Sequence, residues 1–164
     1  MAEPDGFRAF VQSRQDTLLR SAWLLTGDWH QAEDLVQTAL VKVWPRWHKI
    51  TAIGDPEAYV RHTVVTTYLT WRRRRWFGEV ATATMPEAPL GADQSDAVDL
   101  RDALHRILPL LAPRQRAVLV LRFYDDLSVE QTAAALGCSV GTVKSQTSKA
   151  LARLAAADVK EMAR

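Results

Sequence analysis

Apolar residues in the first half of the chain recur every three or four positions, which is the spacing of one buried helix face. Asp55, Pro56 and Glu57 combine a side-chain cap, a proline in the first turn and an acid near the positive end of a helix dipole. The pattern predicts three helices and one loop, at about 5–25, 28–47 and 55–77 with the loop at 48–54. Their inward residues should share one core: Phe7, Phe10, Val11, Leu18, Ala22, Leu25, Ala32, Leu35, Val36, Ala39, Leu40, Val43 and Trp47.

The helical pattern stops at residues 78–97. The run Met85-Pro-Glu-Ala-Pro-Leu-Gly-Ala-Asp-Gln-Ser combines two prolines, a glycine and acids, with no apolar period to bury. Four more helices are predicted beyond it, at about 98–110, 113–125, 129–136 and 140–158. We therefore expect an all-α protein with two small helical domains, 1–77 and 98–164, joined by a flexible acidic linker at 78–97.

The last two predicted helices form a helix-turn-helix. Ser128 and Gln131 have the spacing of a capping box, Gly137 can end that helix in the left-handed conformation, and Ser139 with Thr142 can cap the next. The second helix of such a pair commonly enters the DNA major groove. Helix-turn-helix geometry also occurs in proteins that never bind DNA, so an ordinary solvated helix remains the alternative.

The final helix separates into an apolar stripe and a polar face. Lysines and small hydroxyl residues suit close approach to phosphates and base edges. The predicted inward residues are Val143, Thr147, Ala150, Leu151 and Leu154, and the polar face carries Lys144, Ser145, Ser148 and Lys149.

Charge is unevenly distributed, although 21 Lys and Arg against 19 Asp and Glu leave a net charge of only +2. Residues 1–77 hold 11 bases and 8 acids, residues 78–99 hold 5 acids and no base, and residues 100–164 hold 10 bases and 6 acids. Two basic blocks flanking an acidic joint favour a polyanionic partner.

Residues 68–77 place four consecutive arginines among aromatic residues, from Tyr68 and Trp71 to Trp76 and Phe77. Cations can follow a phosphate backbone while aromatic rings stack on unpaired bases. The plain alternatives are a solubilised helix end and a core role for Trp71, which aligns with Val60 and Val64.

A small protein-contact patch is predicted on the second helix. Asp34, Gln37 and Val41 lie together on the face opposite its apolar stripe.

Signals for catalysis or cofactor binding are missing from the sequence. The four histidines are scattered, Cys138 is the only cysteine, and no glycine-rich phosphate loop occurs. We expect no enzyme activity, no metal and no cofactor. Because neither a signal peptide nor an apolar membrane-spanning run is visible, we expect a cytoplasmic protein without membrane insertion.

Three blocks of the sequence together resemble one family. The segment Ala32-Glu-Asp-Leu-Val-Gln-Thr-Ala-Leu-Val-Lys-Val-Trp resembles the polymerase-binding helix of bacterial sigma-70 factors. Pro56-Glu-Ala-Tyr-Val-Arg with the arginine run resembles their −10 helix, and Gly137-Cys-Ser-Val-Gly-Thr-Val-Lys-Ser their −35 reader. The two-domain layout is similar to the extracytoplasmic-function (ECF, group IV) class and its actinobacterial SigE-like branch.

This resemblance implies an alternative sigma factor that binds core RNA polymerase, through the β′ clamp helices and the β flap, and directs it to promoter DNA. An anti-sigma partner is left open. The implied polymerase contacts are Asp34, Gln37 and Val41. The implied −10 residues are His62, Thr66, Tyr68, Thr70, Trp71, Arg72, Arg73, Arg74 and Arg75. The implied −35 residues are Thr142, Lys144, Ser145, Ser148, Lys149 and Arg153.

The chain departs from the family pattern at a few of these positions. Thr66 stands where many members carry Asn, Thr70 where many carry Asp or Ser, and Gln146 where many carry Arg. Ser148 replaces a larger or basic residue, so fewer −35 contacts are expected. Two alternatives remain open, a helix-turn-helix regulator that binds duplex DNA without polymerase and an interaction module without transcription activity.

Overall fold

A computed structural model describes residues 2–78 and 106–162, and every regular element in these two ranges is helical. The all-α prediction is confirmed for the described residues. Most of the predicted linker, and the first part of the helix predicted at 98–110, lie outside them. The helices are α1 (Phe7–Thr26), α2 (Trp29–Val43), α3 (Trp47–Ile53), α4 (Pro56–Gly78), α5 (Pro113–Leu119), α6 (Val129–Leu136) and α7 (Val140–Met162).

Local sequence signals fix most helix ends. α1 ends at Gly27, whose φ of 75° is the left-handed conformation that glycine adopts at least cost. The Asp28 carboxylate accepts from the Gln31 backbone N–H at 3.1 Å, which caps α2. At the start of α6, the predicted capping box is present in both directions, through Ser128 and Gln131.

The predicted loop at 48–54 is wrong, because this segment is the short helix α3. α2 ends at Val43, and Pro45 lies in a 3-10 turn, Trp44–Arg46, where it need not donate a backbone hydrogen bond. Burial then holds α3: the Trp47 ring packs edge-on against Phe7 at 5.2 Å, and its indole N–H donates to the Asp5 carbonyl at 3.0 Å. Tertiary burial therefore stabilises a helix too short for a periodic signal.

α1, α2 and α4 bury one apolar seam that forms the core of the first half. The predicted stripes of α1 and α2 lie in this core or pack against it. α4 contributes Val60, Val64, Val65 and Tyr68 from its inner face. On the rim of the seam, the Lys42 ammonium donates to the Thr67 hydroxyl at 3.0 Å and ties α2 to α4.

The helix predicted at 113–125 changes its form midway. α5 ends at Leu119 and continues as a π-helical turn, Val120–Tyr124. The buried face of this stretch packs with α6 and α7 as the core of the second half. In the described residues no helix is both long enough and apolar enough to cross a bilayer.

The two halves pack against each other through three elements of the second half, with both apolar and polar side chains in the contact. α5 reaches α1, the π turn also meets α1, and α6 lies on α4. The Arg116 Nε donates to the Leu24 carbonyl at 2.7 Å, and the Ser21 hydroxyl donates to the Asp125 carboxylate at 2.6 Å. We call this the packed arrangement.

Candidate functional site

The outer face of α7 presents most of the predicted −35 residues. Lys144, Ser145, Ser148 and Lys149 are exposed, whereas Val143 and Ala150 on the opposite face are fully buried. Ser139 begins the helix by accepting from the Thr142 backbone N–H at 3.1 Å, as predicted. Thr142 is half-buried and its hydroxyl is hydrogen-bonded to that of Ser139, so its side chain serves the cap. Arg153 is exposed further along the helix.

One residue of the predicted apolar stripe is misplaced, since Leu151 is 48% exposed. Successive residues turn by about 100° around a helix, which puts Leu151 about 80° from Val143 and at the edge of the stripe. The true inward line is narrower and follows Val143, Ala150 and Leu154.

The end of α4 presents a cluster of exposed cations. Arg72, Arg73 and Arg74 are all exposed, while the side chain of Arg75 lies outside the described residues. Trp71 is half-buried and packs against the core, in line with the core alternative raised from its spacing.

Two predicted −10 residues lie in the interior of the packed arrangement. Tyr68 is only 1% exposed, so its ring belongs to the core and offers no surface to DNA here. The His62 imidazole donates from Nδ1 to the Ala135 carbonyl, because α6 packs over this part of α4. The family resemblance assigned both residues to the −10 set, and a resemblance carried over residue by residue cannot register the neighbouring element that covers them.

Thr66 and Thr70 lie along a cleft rather than on an open surface. Each hydroxyl donates to a carbonyl one turn earlier in α4, Thr66 to His62 at 2.8 Å and Thr70 to Thr66 at 2.9 Å. Their oxygens can still accept a hydrogen bond, but their donor capacity is used within the helix.

The cleft runs between α4 on one side and α5 and α7 on the other, and its volume is about 650 Å³. We call it the interdomain cleft. Four basic residues contribute to its wall and, among the described residues, no acid does. Its lining is Thr66, Leu69, Thr70, Arg72, Arg73, Ala112, Pro113, Arg114, Gln115, Leu136, Gln146 and Lys149. Lys149 thus faces α4, whereas Lys144 does not line the cleft.

The predicted polymerase-contact residues on α2 are all solvent-exposed. Asp34, Gln37 and Val41 lie outside the core, and Val41 is 69% exposed. Ile53, at the end of α3, is 83% exposed and was missed because the segment was predicted as a loop. Large exposed apolar side chains beside polar groups are typical of protein-contact surfaces.

Sequence reasoning also missed the buried arginine between the halves. Arg116 is 6% exposed, and its Nη2 has no hydrogen-bond partner within the described residues. Burial lowers the pKa of its guanidinium and raises the pKa of the nearby Tyr68 phenol, whose oxygen is also unpartnered there. Nothing in the spacing of Arg116 marks it as buried, because the contact joins elements 92 residues apart in sequence.

Metal chemistry has no visible support in the described residues, since no cluster of three or more His, Cys, Asp or Glu side chains could hold an ion there.

Comparison with known proteins matches both halves to one family. Residues 10–77 match the family model for sigma-70 region 2, and residues 101–154 match the model for sigma-70 region 4. The RNA polymerase sigma-E factor of Streptomyces coelicolor is 45% identical over 94% of this chain and 86% of its own length. The ECF RNA polymerase sigma factor SigL of Mycobacterium tuberculosis is 32% identical over 88% of this chain and 84% of its own.

Two solved structures share the fold. The sigma factor RpoE of Bartonella quintana, in complex with the anti-sigma factor NepR, has a TM-score of 0.71 and 25% identity over 92% of this chain and 95% of its own. CnrH, in complex with the cytosolic domain of CnrY, has a TM-score of 0.64 and 20% identity over 92% of this chain and 85% of its own.

We predict that acid favours the packed arrangement through Asp125. Burial raises the pKa of this carboxyl, an effect that the Ser21 hydroxyl and then Arg61 oppose, while Glu57 raises it further. At a pH between the two pKa values, the packed protein therefore holds a proton that exposed Asp125 has lost. The stabilisation of the packed arrangement by this proton is complete below the pKa of exposed Asp125. It is lost as the pH rises through the raised pKa of packed Asp125.

Small-angle X-ray scattering should show the radius of gyration increasing over that pH window. Asp125→Asn, which cannot titrate, should flatten the change. Asp126→Asn is the matched control, because Asp126 is exposed and its φ of 57° suits asparagine. Identical pH profiles for the native chain and Asp125→Asn would contradict the assignment.

Proposed function

The chain belongs to the sigma-70 family, in its ECF group, and we propose that it acts as an alternative sigma factor whose two halves hold separate promoter elements. It binds core RNA polymerase and directs promoter-specific initiation. The observation that carries this proposal is the joint presence of regions 2 and 4 in one chain that aligns with sigma-E factors over most of its length.

The α2 patch is the proposed contact with the β′ clamp helices of polymerase. Asp34 supplies a carboxylate acceptor and Gln37 an amide. Val41 adds apolar surface that docking would remove from water. Because the opposite face of α2 is buried in the seam, the patch is held on a rigid helix. A further contact of region 4 with the β flap follows from the family resemblance alone.

The end of α4 is the proposed −10 surface. Three exposed arginines can neutralise phosphates there, and Thr66 and Thr70 retain acceptor capacity for base edges. Extruding a base costs a few kcal/mol. His62 and Tyr68 support this surface from the interior, and His62 can contact DNA only if the halves separate.

The exposed face of α7 is the proposed −35 reader. Lys144, Ser145 and Ser148 point to solvent, so a major groove can reach them without rearrangement of the helix. Lys149 is also exposed, but it lines the interdomain cleft opposite α4, so a DNA duplex reaches it fully only when that cleft opens.

Promoter binding by both halves requires the packed arrangement to open. The two elements named −35 and −10 are roughly 25 base pairs apart, or about 85 Å at about 3.4 Å per pair. α4 and α7 instead face each other across one cleft. The polar contacts through Arg116, Asp125 and His62 are the ones that separation breaks.

A specificity subunit needs no catalytic group of its own, and we assign the chain to the cytoplasm, where polymerase and promoters are. An anti-sigma partner is consistent with the similar fold of RpoE bound to NepR. A helix-turn-helix regulator acting alone would need neither the α2 patch nor the α4 arginines.

Addition of the full chain to core RNA polymerase should produce initiation at a defined promoter. Run-off transcription with sequencing of the products tests this, and core enzyme without the chain is the control. Sequence-specific duplex binding without any association with core polymerase would refute the proposal and favour the stand-alone regulator.

Asp34→Ala should weaken binding to core polymerase by about 1–3 kcal/mol, because it removes a carboxylate acceptor from the patch. Glu33→Ala is the matched control, since Glu33 is also exposed on α2 but turned by about 100°. Fluorescence titration against core polymerase measures both affinities, and circular dichroism checks the fold. Equal affinities for the two variants would remove Asp34 from the interface.

Lys144→Ala should cost about 1–3 kcal/mol of promoter affinity and relax the preference at one −35 position, if the ammonium contacts a base edge. Lys160→Ala, which removes the same charge near the end of α7, should reduce affinity without changing preference. Binding to a library of −35 variants separates the two outcomes. A uniform loss across all sequences would demote Lys144 to a phosphate contact.

A further inference from the structure

The interdomain cleft carries four cations whose charge is uncompensated within the described residues. Arg72 and Arg73 come from α4, Arg114 from α5 and Lys149 from α7. All four side chains are exposed, and in the described part of the chain none of them forms an ion pair and no acid lines the cleft. Like charges brought together around a concave surface attract an anion.

A buried arginine close to this cleft adds to the same positive field. Arg116 follows Arg114 by two residues in α5, is 6% exposed, and keeps its Nη2 without a hydrogen-bond partner among the described residues. Burial lowers the pKa of its guanidinium most, the Tyr68 phenol opposes this, and repulsion from Arg72 lowers the pKa further. An anion held at Arg72 relieves that repulsion, which a neutral ligand cannot do.

Promoter binding does not account for the whole cleft. Arg114 and Gln115 lie on α5, outside both proposed DNA surfaces. The cleft volume of about 650 Å³ equals that of a cube with an edge of about 9 Å, whereas the major groove of B-DNA alone is about 12 Å wide. A duplex is therefore too large for the cleft of the packed arrangement, and pockets of about 300–1,000 Å³ typically hold a single small molecule.

The rest of the lining suits the flat ring of a nucleotide base. Leu69 and Leu136 supply apolar surface, and the amides of Gln115 and Gln146 can both donate and accept. The Gln115 side-chain oxygen accepts from the Ala112 backbone N–H at 3.2 Å, which leaves its NH₂ group to donate. Apolar walls with a few polar groups that fix orientation are typical of small-molecule sites.

We propose that the interdomain cleft binds a nucleotide with two or more phosphate groups, held by Arg72 and Arg73 on one wall and by Arg114 and Lys149 on the other. A phosphate group carries about 1.5–2 negative charges at pH 7, so about two or three of them balance four cations. Because the ligand touches both walls, it binds the packed arrangement and stabilises it increasingly as its concentration rises. This site goes beyond the proposed role in initiation and needs neither polymerase nor promoter.

Calorimetric titration of the full chain tests the site, with ATP as the probe in magnesium-free buffer at 0.1 M salt. Affinity should fall on the order of tenfold from ATP to ADP and again to AMP, since each phosphate adds charge-assisted hydrogen bonds. Binding should weaken in 1 M salt, where the Debye length falls from about 10 Å to about 3 Å. Equal affinities for ATP and AMP would overturn the proposal.

Two pairs of variants assign the binding to the cleft. Lys149→Gln should lower the affinity for ATP on the order of tenfold. Lys144→Gln should leave it unchanged, because Lys144 is exposed on the same helix but does not line the cleft. Arg114→Gln and Arg106→Gln form the second pair on the same grounds. Circular dichroism checks the fold, and equal losses within a pair would place the nucleotide elsewhere.

Two further ligands separate a nucleotide site from other anion sites. Inorganic tripolyphosphate should bind on the order of tenfold more weakly than ATP, because it lacks the base. Gln146→Ala should weaken ATP alone, and equal binding of ATP and tripolyphosphate would remove the base from the proposal. A single-stranded tetranucleotide that binds as tightly as ATP and responds equally to Arg114→Gln would make the cleft a nucleic-acid groove. Because all these readouts use the free chain, their failure would leave the initiation assay unaffected.

Discussion

The apolar seam between α1, α2 and α4 is the contact on which the other surfaces depend. One face of each helix is buried in this seam, and the candidate functional residues lie on the faces that stay exposed. The α2 patch is exposed because the opposite side of α2 is buried, and the arginines end a helix whose earlier turns are fixed in the core. A seam of this kind holds the patch and the arginine cluster at fixed relative positions, as the proposed contacts with polymerase and DNA would need.

A contrasting kind of contact joins the two halves. Arg116 donates to a backbone carbonyl with no carboxylate assigned to it, and its Nη2 and the Tyr68 hydroxyl are unpartnered within the described residues. Buried charge without a full set of partners is costly, so Arg116 offsets part of the favourable burial at this interface. Such a balance is what the proposed separation of the two halves on promoter DNA requires. Asp125, whose pKa is raised by burial, belongs to the same joint.

The helix-turn-helix and the caps could be read from the sequence because they are local. Ser128, Gln131, Gly137 and Ser139 act within a few residues, and each lies where its spacing put it. α3 and the π turn were missed for the opposite reason. Trp47 makes a helix of the predicted loop by packing on Phe7, 40 positions away, and no periodic signal survives in so short a segment.

The all-α class, the seam residues of α1 and α2, the polar face of α7 and the family could all be predicted from the sequence, because periodicity, caps and motif order are properties of neighbouring residues. The surroundings of each candidate side chain depend instead on the packing of distant elements. His62 meets Ala135, Tyr68 enters the core, and Lys149 turns toward α4, each through an element far away in the chain. Helical spacing gives a residue its direction from the helix axis, whereas burial depends on what the fold brings to that side.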